Sequence, residues 1–325
     1  MVLVTGGAGY IGSHTVCALT EAGFGCLVLD NLEKGHIEAV KGVPAIRGDL
    51  RSPSDIEQAF CSYGVTSVVH LAAYSEVGES VQFPDKYFEN NVTGTRNLLD
   101  AMETHGVDKI VFSSSAAVYG EPKTATIDES HPTAPSSPYG ESKLRAEREI
   151  TSRDIKSVCL RYFNASGASP THNIGEDHSP ETHLVPRLLL SLLGRTTFQI
   201  YGSDYDTPDG TCVRDYVHVS DLARAHVDAV RFLENSPGNH VFNLGSGHGA
   251  SVSEVVAAAA KVTHKSISPL VTGRRPGDPS RLVASNELAK KVLGWAPVHQ
   301  DLETIVEHAW HWHRRFPDGY KGVII

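Results

Sequence analysis

Through the first 165 positions of this 325-residue chain, short runs of β-branched and aliphatic residues alternate with longer amphipathic stretches. Val2–Thr5, Cys26–Asp30, Ala45–Ile46, Ser67–Leu71, Lys109–Ser113 and Ser157–Phe163 read as strands, several of them apolar on both faces. Strands buried on both sides have this character, which points to a parallel sheet covered above and below. Between them, helical spacing of apolar residues marks segments near 10–22, 54–63, 85–105 and 139–152. This alternation predicts right-handed crossovers and a Rossmann-type, doubly wound α/β sheet. Past Asn164 the pattern breaks into a loop-rich stretch dense in Gly, Pro, Asp and His up to about 183. Helices near 184–194, 220–234, 251–263, 285–293 and 301–315 then mix with short strands near 198–201 and 241–244. We therefore expect a first domain over 1–165 and a smaller α/β domain over 166–325, with the segment 214–245 a candidate to rejoin the first.

Composition narrows the function without fixing it. With 40% hydrophobic and 21% charged residues the chain is ordinary globular protein. A net charge of −9 argues against nucleic acid as the main partner but leaves room for a small anion held by local arginines. No apolar run reaches the roughly 20 residues that span a membrane. The opening M-V-L-V-T is already strand-like, and the five cysteines are scattered without C-x-x-C spacing. Both features suit a reduced, cytoplasmic protein with neither disulfides nor a zinc–cysteine site. The dense histidines His308, His311 and His313 lie beside Trp310 in a helical pattern without acidic or cysteine ligands, so no metal is expected there.

The strongest local signal is T-G-G-A-G-Y-I-G at positions 5–12, directly after the first strand and opening the first helix. Gly6, Gly9 and Gly12 allow a tight turn in which a pyrophosphate reaches main-chain N–H groups at a helix N-terminus. Asp30 ends the second strand 18 residues after Gly12, placed to accept both hydroxyls of an adenine ribose and to repel a 2′-phosphate. NAD is thus expected over NADP, although Lys34 lies close enough to blunt the preference.

Within S-P-Y-G-E-S-K (137–143), Ser137 can cap a helix and Pro138 suits its first position. Tyr139 and Lys143 then share one face, a spacing that by itself is commonly a plain surface pair. A dinucleotide fold changes its meaning, because Ser113, Ser114 and Ser115 end the fifth strand at the same crevice. Oxidising an alcohol needs a base, and a phenol with a reference pKa of about 10 serves only if positive charge lowers it.

These motifs, with F-S-S-S-A-A-V-Y-G, resemble the extended short-chain dehydrogenase/reductase superfamily. Further runs, including V-G-E-S-V-Q, N-N-V-T-G-T, L-R-Y-F-N, D-G-T-C-V-R-D-Y-V-H-V-S-D-L-A, F-N-L-G-S-G and R-R-P-G-D-P, resemble its UDP-glucose (UDP-galactose) 4-epimerase family. The resemblance runs from Val2 to about Trp312. It implies tightly bound NAD, a 4-keto sugar intermediate, Tyr139 as base, Ser115 as hydrogen-bond partner and relay, and Lys143 on the nicotinamide ribose. Cofactor contacts carried over by motif are Tyr10, Ile11, Asp30, Asn31, Leu32, Lys34, Gly35, Asp49, Leu50, Leu71, Ala72, Ala73, Ser75, Asn90, Ser113 and Phe163. Asp49 reads equally well as a carboxylate capping a turn. For the UDP-sugar the resemblance implies Arg214 and Arg275 on the diphosphate, Asp278 on the ribose, Asn164 near diphosphate or sugar, and Leu184 and Tyr201 about the uracil. It also implies a homodimer through the helices near 85–105 and 139–152.

Two places depart from the family pattern. Tyr74 and Ser75 stand where a lysine is common, and Leu282 stands where a bulky tyrosine narrows the sugar pocket in some members; His183 occupies a position where some members use asparagine against the substrate. Leu282 opens the way to N-acetylated sugars. Ala116 and Ala117 follow Ser115 where a 4,6-dehydratase carries an acid–base pair, and retention of Tyr139 and Lys143 separates the chain from NAD-binding sensors that lack turnover. Epimerases of other UDP-sugars, uronic acids or pentoses among them, share the same catalytic set.

Overall fold

The computed structural model describes residues 1–275 and 278–322. Its central sheet has seven parallel strands in the spatial order β3 (Ala45–Arg47), β2 (Cys26–Asp30), β1 (Val2–Thr5), β4 (Ser67–His70), β5 (Lys109–Ser115), β6 (Lys156–Tyr162) and β10 (Asn239–Leu244). Alternate residues of these strands feed two separate cores. Val2, Val4, Val28, Val69 and Val158 pack with Val16 and Leu19 of α1 (Tyr10–Glu21) and Leu222 and Leu233 of α8 (Val219–Leu233). Leu3, Leu27, Leu29, Ile110 and Phe112 face the other way, onto α2 (Pro53–Ser62), α5 (Gly94–Thr104) and α6 (Pro138–Thr151). A strand apolar on both faces needs helices on both faces, and here it has them. The strand order reverses between β1 and β4, which opens the crevice where such sheets bind ligands.

A four-stranded sheet joins β7 (Asn164–Ser166), β9 (Val213–His218), β11 (Gly249–Ser251) and β13 (Arg281–Leu282), and β8 (Gln199–Tyr201) pairs with β12 (Leu270–Thr272). Around them, α7 (Leu184–Leu192), α9 (Val252–Thr263) and α10 (Leu302–Arg315) build a third core from Leu188, Val255, Val306 and Trp310, among others. The segment that rejoins the first sheet is α8 and β10, residues 219–244, whereas β9 stays with the smaller sheet. β7, β9, β11 and β13 were absent from the expected strands. They are two to six residues long and carry polar residues such as Asn164, Arg214, Asp215 and Arg281, so their run lengths and alternation were too weak to register.

The helix expected over 85–105 forms without a break in helical backbone but changes type within it. After α3 (Val77–Gln82) come α4 (Pro84–Phe88), a π-helical turn over Glu89–Thr93 and then α5. The wide turn advances the register and buries the consecutive Asn90 and Asn91 together, 8% and 2% exposed. Near the C-terminus, the helix expected over 285–293 runs over 287–293, its last five residues, Ala289–Leu293, forming a π-helical turn ended by Gly294 in the left-handed conformation.

Candidate active site

The glycine turn is close-packed against itself. A Cβ on Gly12 would lie 2.0 Å from the Gly6 carbonyl oxygen, so only glycine lets α1 start this near the strand. Replacing Gly12 by Ala must widen the turn, and we expect a protein destabilised by about 1–3 kcal/mol that purifies without bound dinucleotide; absorbance of the released nucleotide after denaturation reads this directly. Asp30 follows from β2 with its side chain 8% exposed, accepting from the backbone N–H of Ala8 (3.0 Å) and of Leu32 (2.9 Å). Burial raises its pKa, and a carboxylate offers about four lone-pair sites. Two remain for outside donors, which suits a pair of ribose hydroxyls. Lys34 does not offset this negative charge, because its ammonium is turned to Glu76 at 3.0 Å.

Asn31, Leu32 and Gly35 line the loop after Asp30, and Tyr10 and Ile11 begin α1. Leu71, Ala72 and Ala73 follow β4 across the crevice, and Ser75 beyond them is exposed. Leu50 is buried, and the neighbouring Asp49 caps its turn. Its carboxylate accepts from the Arg51 backbone N–H (2.8 Å), Arg51 Nε (2.9 Å) and Asn31 Nδ2 (3.1 Å), and hydrogen bonding from Arg51 holds it well below the usual carboxylate range.

Tyr139 enters from α6, whose start is capped as its sequence suggests: Ser137 Oγ accepts from the Gly140 N–H at 3.1 Å. A Cβ on Gly140 would stand 2.4 Å from the Ala117 carbonyl oxygen. The glycine of Y-G-E-S-K therefore brings the helix down onto the end of β5 and the phenol to Ser115. Tyr139 is 9% exposed and packs with Tyr74 and Tyr87, its ring edge-on to Tyr87 at 6.4 Å. Burial raises the phenol pKa, and the hydrogen bond with Ser115 works against that rise. Lys143 is 3% exposed, donates to the Ser113 carbonyl at 2.8 Å and lies over the Phe112 ring. Burial pushes its pKa down to about 7, while Glu147 raises it. The ammonium is engaged with the strand end, and hydrogen bonding from Ser115 eases ionisation of Tyr139.

On the substrate side, β-pairing aligns Arg214 with Leu282 and Asn164 with Tyr216. Arg214 donates to Asp278 and, at 2.7 Å, to the Pro279 carbonyl, so the two residues expected at diphosphate and ribose already touch. Arg275 lies over the Tyr201 ring at 3.9 Å. Leu184 opens α7, while Phe163 is buried beside Leu282, Leu144 and Val118 under the end of β5. An open cleft of about 560 Å³ lined by Tyr205, Arg274 and Asp278 runs past the Arg214 pair. A smaller cavity of about 230 Å³, lined by Tyr216, His248 and Ile305 among others, holds none of these site residues except through the β9 neighbour of Asn164.

The sequence matches the NAD dependent epimerase/dehydratase family over residues 2–245. It is 51% identical to the UDP-glucose 4-epimerase of Halalkalibacterium halodurans over 98% of this chain and 97% of that protein. The chain belongs to the UDP-glucose 4-epimerases. Two solved members have nearly the same fold. The Brucella ovis enzyme, in complex with NAD, is 44% identical with a TM-score of 0.93 over 96% of this chain and 98% of that one. The Bifidobacterium longum enzyme, in complex with NAD+ and UDP, is 38% identical with a TM-score of 0.94 over 98% and 99%.

Inside this epimerase fold, several supporting residues escaped the motif reading. Asn91 fixes the loop after β4: its side chain accepts from the Tyr74 N–H (2.9 Å) and donates to the Tyr74 carbonyl and Ser142 Oγ (3.0 Å each). Arg187 on α7 lies close enough to Tyr201 that, together with Arg275, its positive charge lowers the phenol pKa. Nothing in the sequence distinguishes Arg187 from a solvated helix-surface cation. His70 bridges the switch point, with Thr5 Oγ1 at 2.7 Å on one ring nitrogen and Thr95 Oγ1 at 2.9 Å on the other.

Burial pushes His70 down to about 3 and His226 and His313 down to about 4 from 6.5. Each stays neutral in the fold, whereas the unfolded chain takes up its proton below about 6.5. Their contribution to stability is complete above that value and is lost as the pH falls towards about 4. Melting temperature should therefore drop between neutral pH and pH about 4.5, with His226→Gln showing a shallower dependence by about one proton. Equal slopes for both proteins count against it.

Proposed function

We propose that the chain interconverts UDP-galactose and UDP-glucose by inverting the sugar C4 through a transient 4-keto sugar, with NAD held tightly and regenerated in every turnover. What supports this reading is Tyr139 beside Ser115 at the end of β5 with Lys143 seated on Ser113 of the same strand, and a glycine turn that only glycines can close, in a member of the 4-epimerase family. The free lone pairs of Asp30 and the Gly6–Gly12 cradle fit a dinucleotide. NAD, when bound, supplies the two-electron acceptor and donor together with a positively charged ring.

The remaining work falls to the side chains. Tyr139 takes the proton of the 4-hydroxyl and returns it once the keto sugar has turned its other face, with Ser115 holding the phenol and relaying the proton. Lys143 orients the nicotinamide ribose from its seat on Ser113. Arg214 and Arg275 hold the diphosphate, for which guanidinium forks are suited. Asp278 receives the uridine ribose and Tyr201 flanks the uracil. Fixing the diphosphate while leaving the sugar free about its linkage presents both faces of C4 to one base. The UDP and NAD bound to the relatives support this division of the site.

The test is incubation of purified protein with UDP-galactose and no added cofactor. UDP-glucose should form; no turnover sinks the proposal, and a 4-keto-6-deoxy product favours a dehydratase instead. Leu282, half-buried opposite Arg214, gives a second reading a specific basis: the pocket admits UDP-N-acetylgalactosamine. Its turnover should fall at least several-fold in Leu282→Tyr, with UDP-galactose turnover retained. The family resemblance also supports a homodimer through the 85–105 and 139–152 helices, and the exposed Val77, Val81 and Phe83 precede the first of these. Sedimentation of Val81→Glu/Phe83→Glu as a monomer would support pairing that reaches this patch.

A further inference from the structure

The loop between β7 and α7 carries E-D-H-S-P-E-T-H at 176–183 and folds four potential ligands onto one point. Glu176, His178, Glu181 and His183 each present one ligand atom, all within 4.8 Å of one another. His178 Nδ1 is 3.3 Å from Glu176 Oε1 and 3.6 Å from Glu181 Oε2, and His183 Nδ1 is 3.9 Å from Glu181 Oε1 and in direct contact with Glu176. A tetrahedral zinc site with bonds of about 2.0–2.1 Å has ligand atoms roughly 3.3 Å apart. The three observed separations run from that edge upward, to 3.9 Å. The Glu176 side chain is 3% exposed and its carbonyl accepts from Trp312 Nε1 at 3.0 Å, so the lowest ligand is fixed from behind.

We propose that Glu176, His178, Glu181 and His183 bind one divalent transition-metal cation, with zinc the best match to two imidazoles and two carboxylates. The cation takes the Nδ1 lone pairs of both histidines, and the protons these nitrogens share with the carboxylates leave to solvent; no electron changes hands. Two carboxylates balance its charge. Placement gives the site a consequence, since His178 lies edge-on to Tyr10 of the glycine-turn helix at 6.4 Å and His183 directly precedes Leu184 of α7. An ion here ties the cofactor turn to the substrate side.

Two further groups among the described residues bring three such ligands together, Cys17–Glu21–His172 and Glu57–Cys61–His105. Both lie at the surface with three ligands, which makes them controls. The full chain, stripped with chelator and dialysed, is titrated with Zn²⁺ by calorimetry and with Co²⁺ by visible absorption. One equivalent should bind per chain, with intense tetrahedral cobalt bands. His178→Ala and Glu181→Gln should each weaken binding by at least about 100-fold, and Cys17→Ser and Cys61→Ser should leave it unchanged. Circular dichroism of the metal-free Glu181→Gln protein separates lost binding from lost folding. The proposal is overturned by the absence of saturable binding, by binding that survives both loop variants in folded protein, or by loss on either cysteine change.

Discussion

Replacing Tyr139 by Phe should lower turnover of UDP-galactose by about 100- to 10,000-fold while leaving bound NAD and folding intact. Phenylalanine keeps the ring that packs with Tyr74 and Tyr87, so the packing that seats α6 on the end of β5 survives. Only the hydroxyl goes, and with it the acceptor for the sugar proton. Burial raises the phenol pKa, and of the neighbouring side chains Ser115 is the one that pulls it back. Ser115→Ala should therefore act in the same direction as Tyr139→Phe but more weakly, and the pair of changes together should cost less than the product of the two. Initial rates with nucleotide content measured on the same preparations decide this. Near-normal turnover in Tyr139→Phe would falsify the assignment of the base.

The parts of this site that could be read before the fold was known are those with a local steric or chemical signature. A Cβ at Gly12 would collide with its own turn and one at Gly140 with the strand end, and such constraints leave glycines at fixed offsets in the sequence. The parallel strands were legible because burial on both faces leaves the middles of most of them apolar, as at Leu27–Leu29 and Val68–Val69, with polar residues kept to their ends. What stayed hidden depends on contacts between distant segments. Asn91 acts on Tyr74 and Ser142 across the crevice, Arg187 meets Tyr201 only when α7 and β8 pack, and the direction of Lys143 is set by the Ser113 carbonyl. Asp49 could be read two ways because its arginine partner stands two residues away and the sequence does not say which neighbour wins. The π-helical turn at Glu89–Thr93 has no periodicity of its own to detect.

A second large effect is expected beneath the active site, at Glu147. This residue lies one helical turn beyond Lys143 on α6 and forms a buried ion pair with Arg161 of β6, with Nε at 2.9 Å and side chains 6% and 8% exposed. It also accepts from Ser114, and Arg161 in turn reaches the Tyr119 hydroxyl at 3.1 Å. Burial opposes the Arg161 charge, but Glu147 more than restores it. Glu147→Ala leaves that guanidinium without its counter-charge in the interior, and unfolding free energy should fall by about 3–5 kcal/mol. Replacing both partners by Met removes the uncompensated charge along with the pair, so much of the loss should return. The same change reaches the chemistry by position. Glu147 is the group that raises the Lys143 pKa and, through Ser114, fastens α6 to the strand carrying Ser113 and Ser115. The doubly substituted protein should accordingly regain stability in denaturant melts yet remain slow, separating what the ion pair does for the fold from what it does for the distance between Tyr139 and Ser115. Full recovery of turnover along with stability would mean that packing alone holds α6 in place.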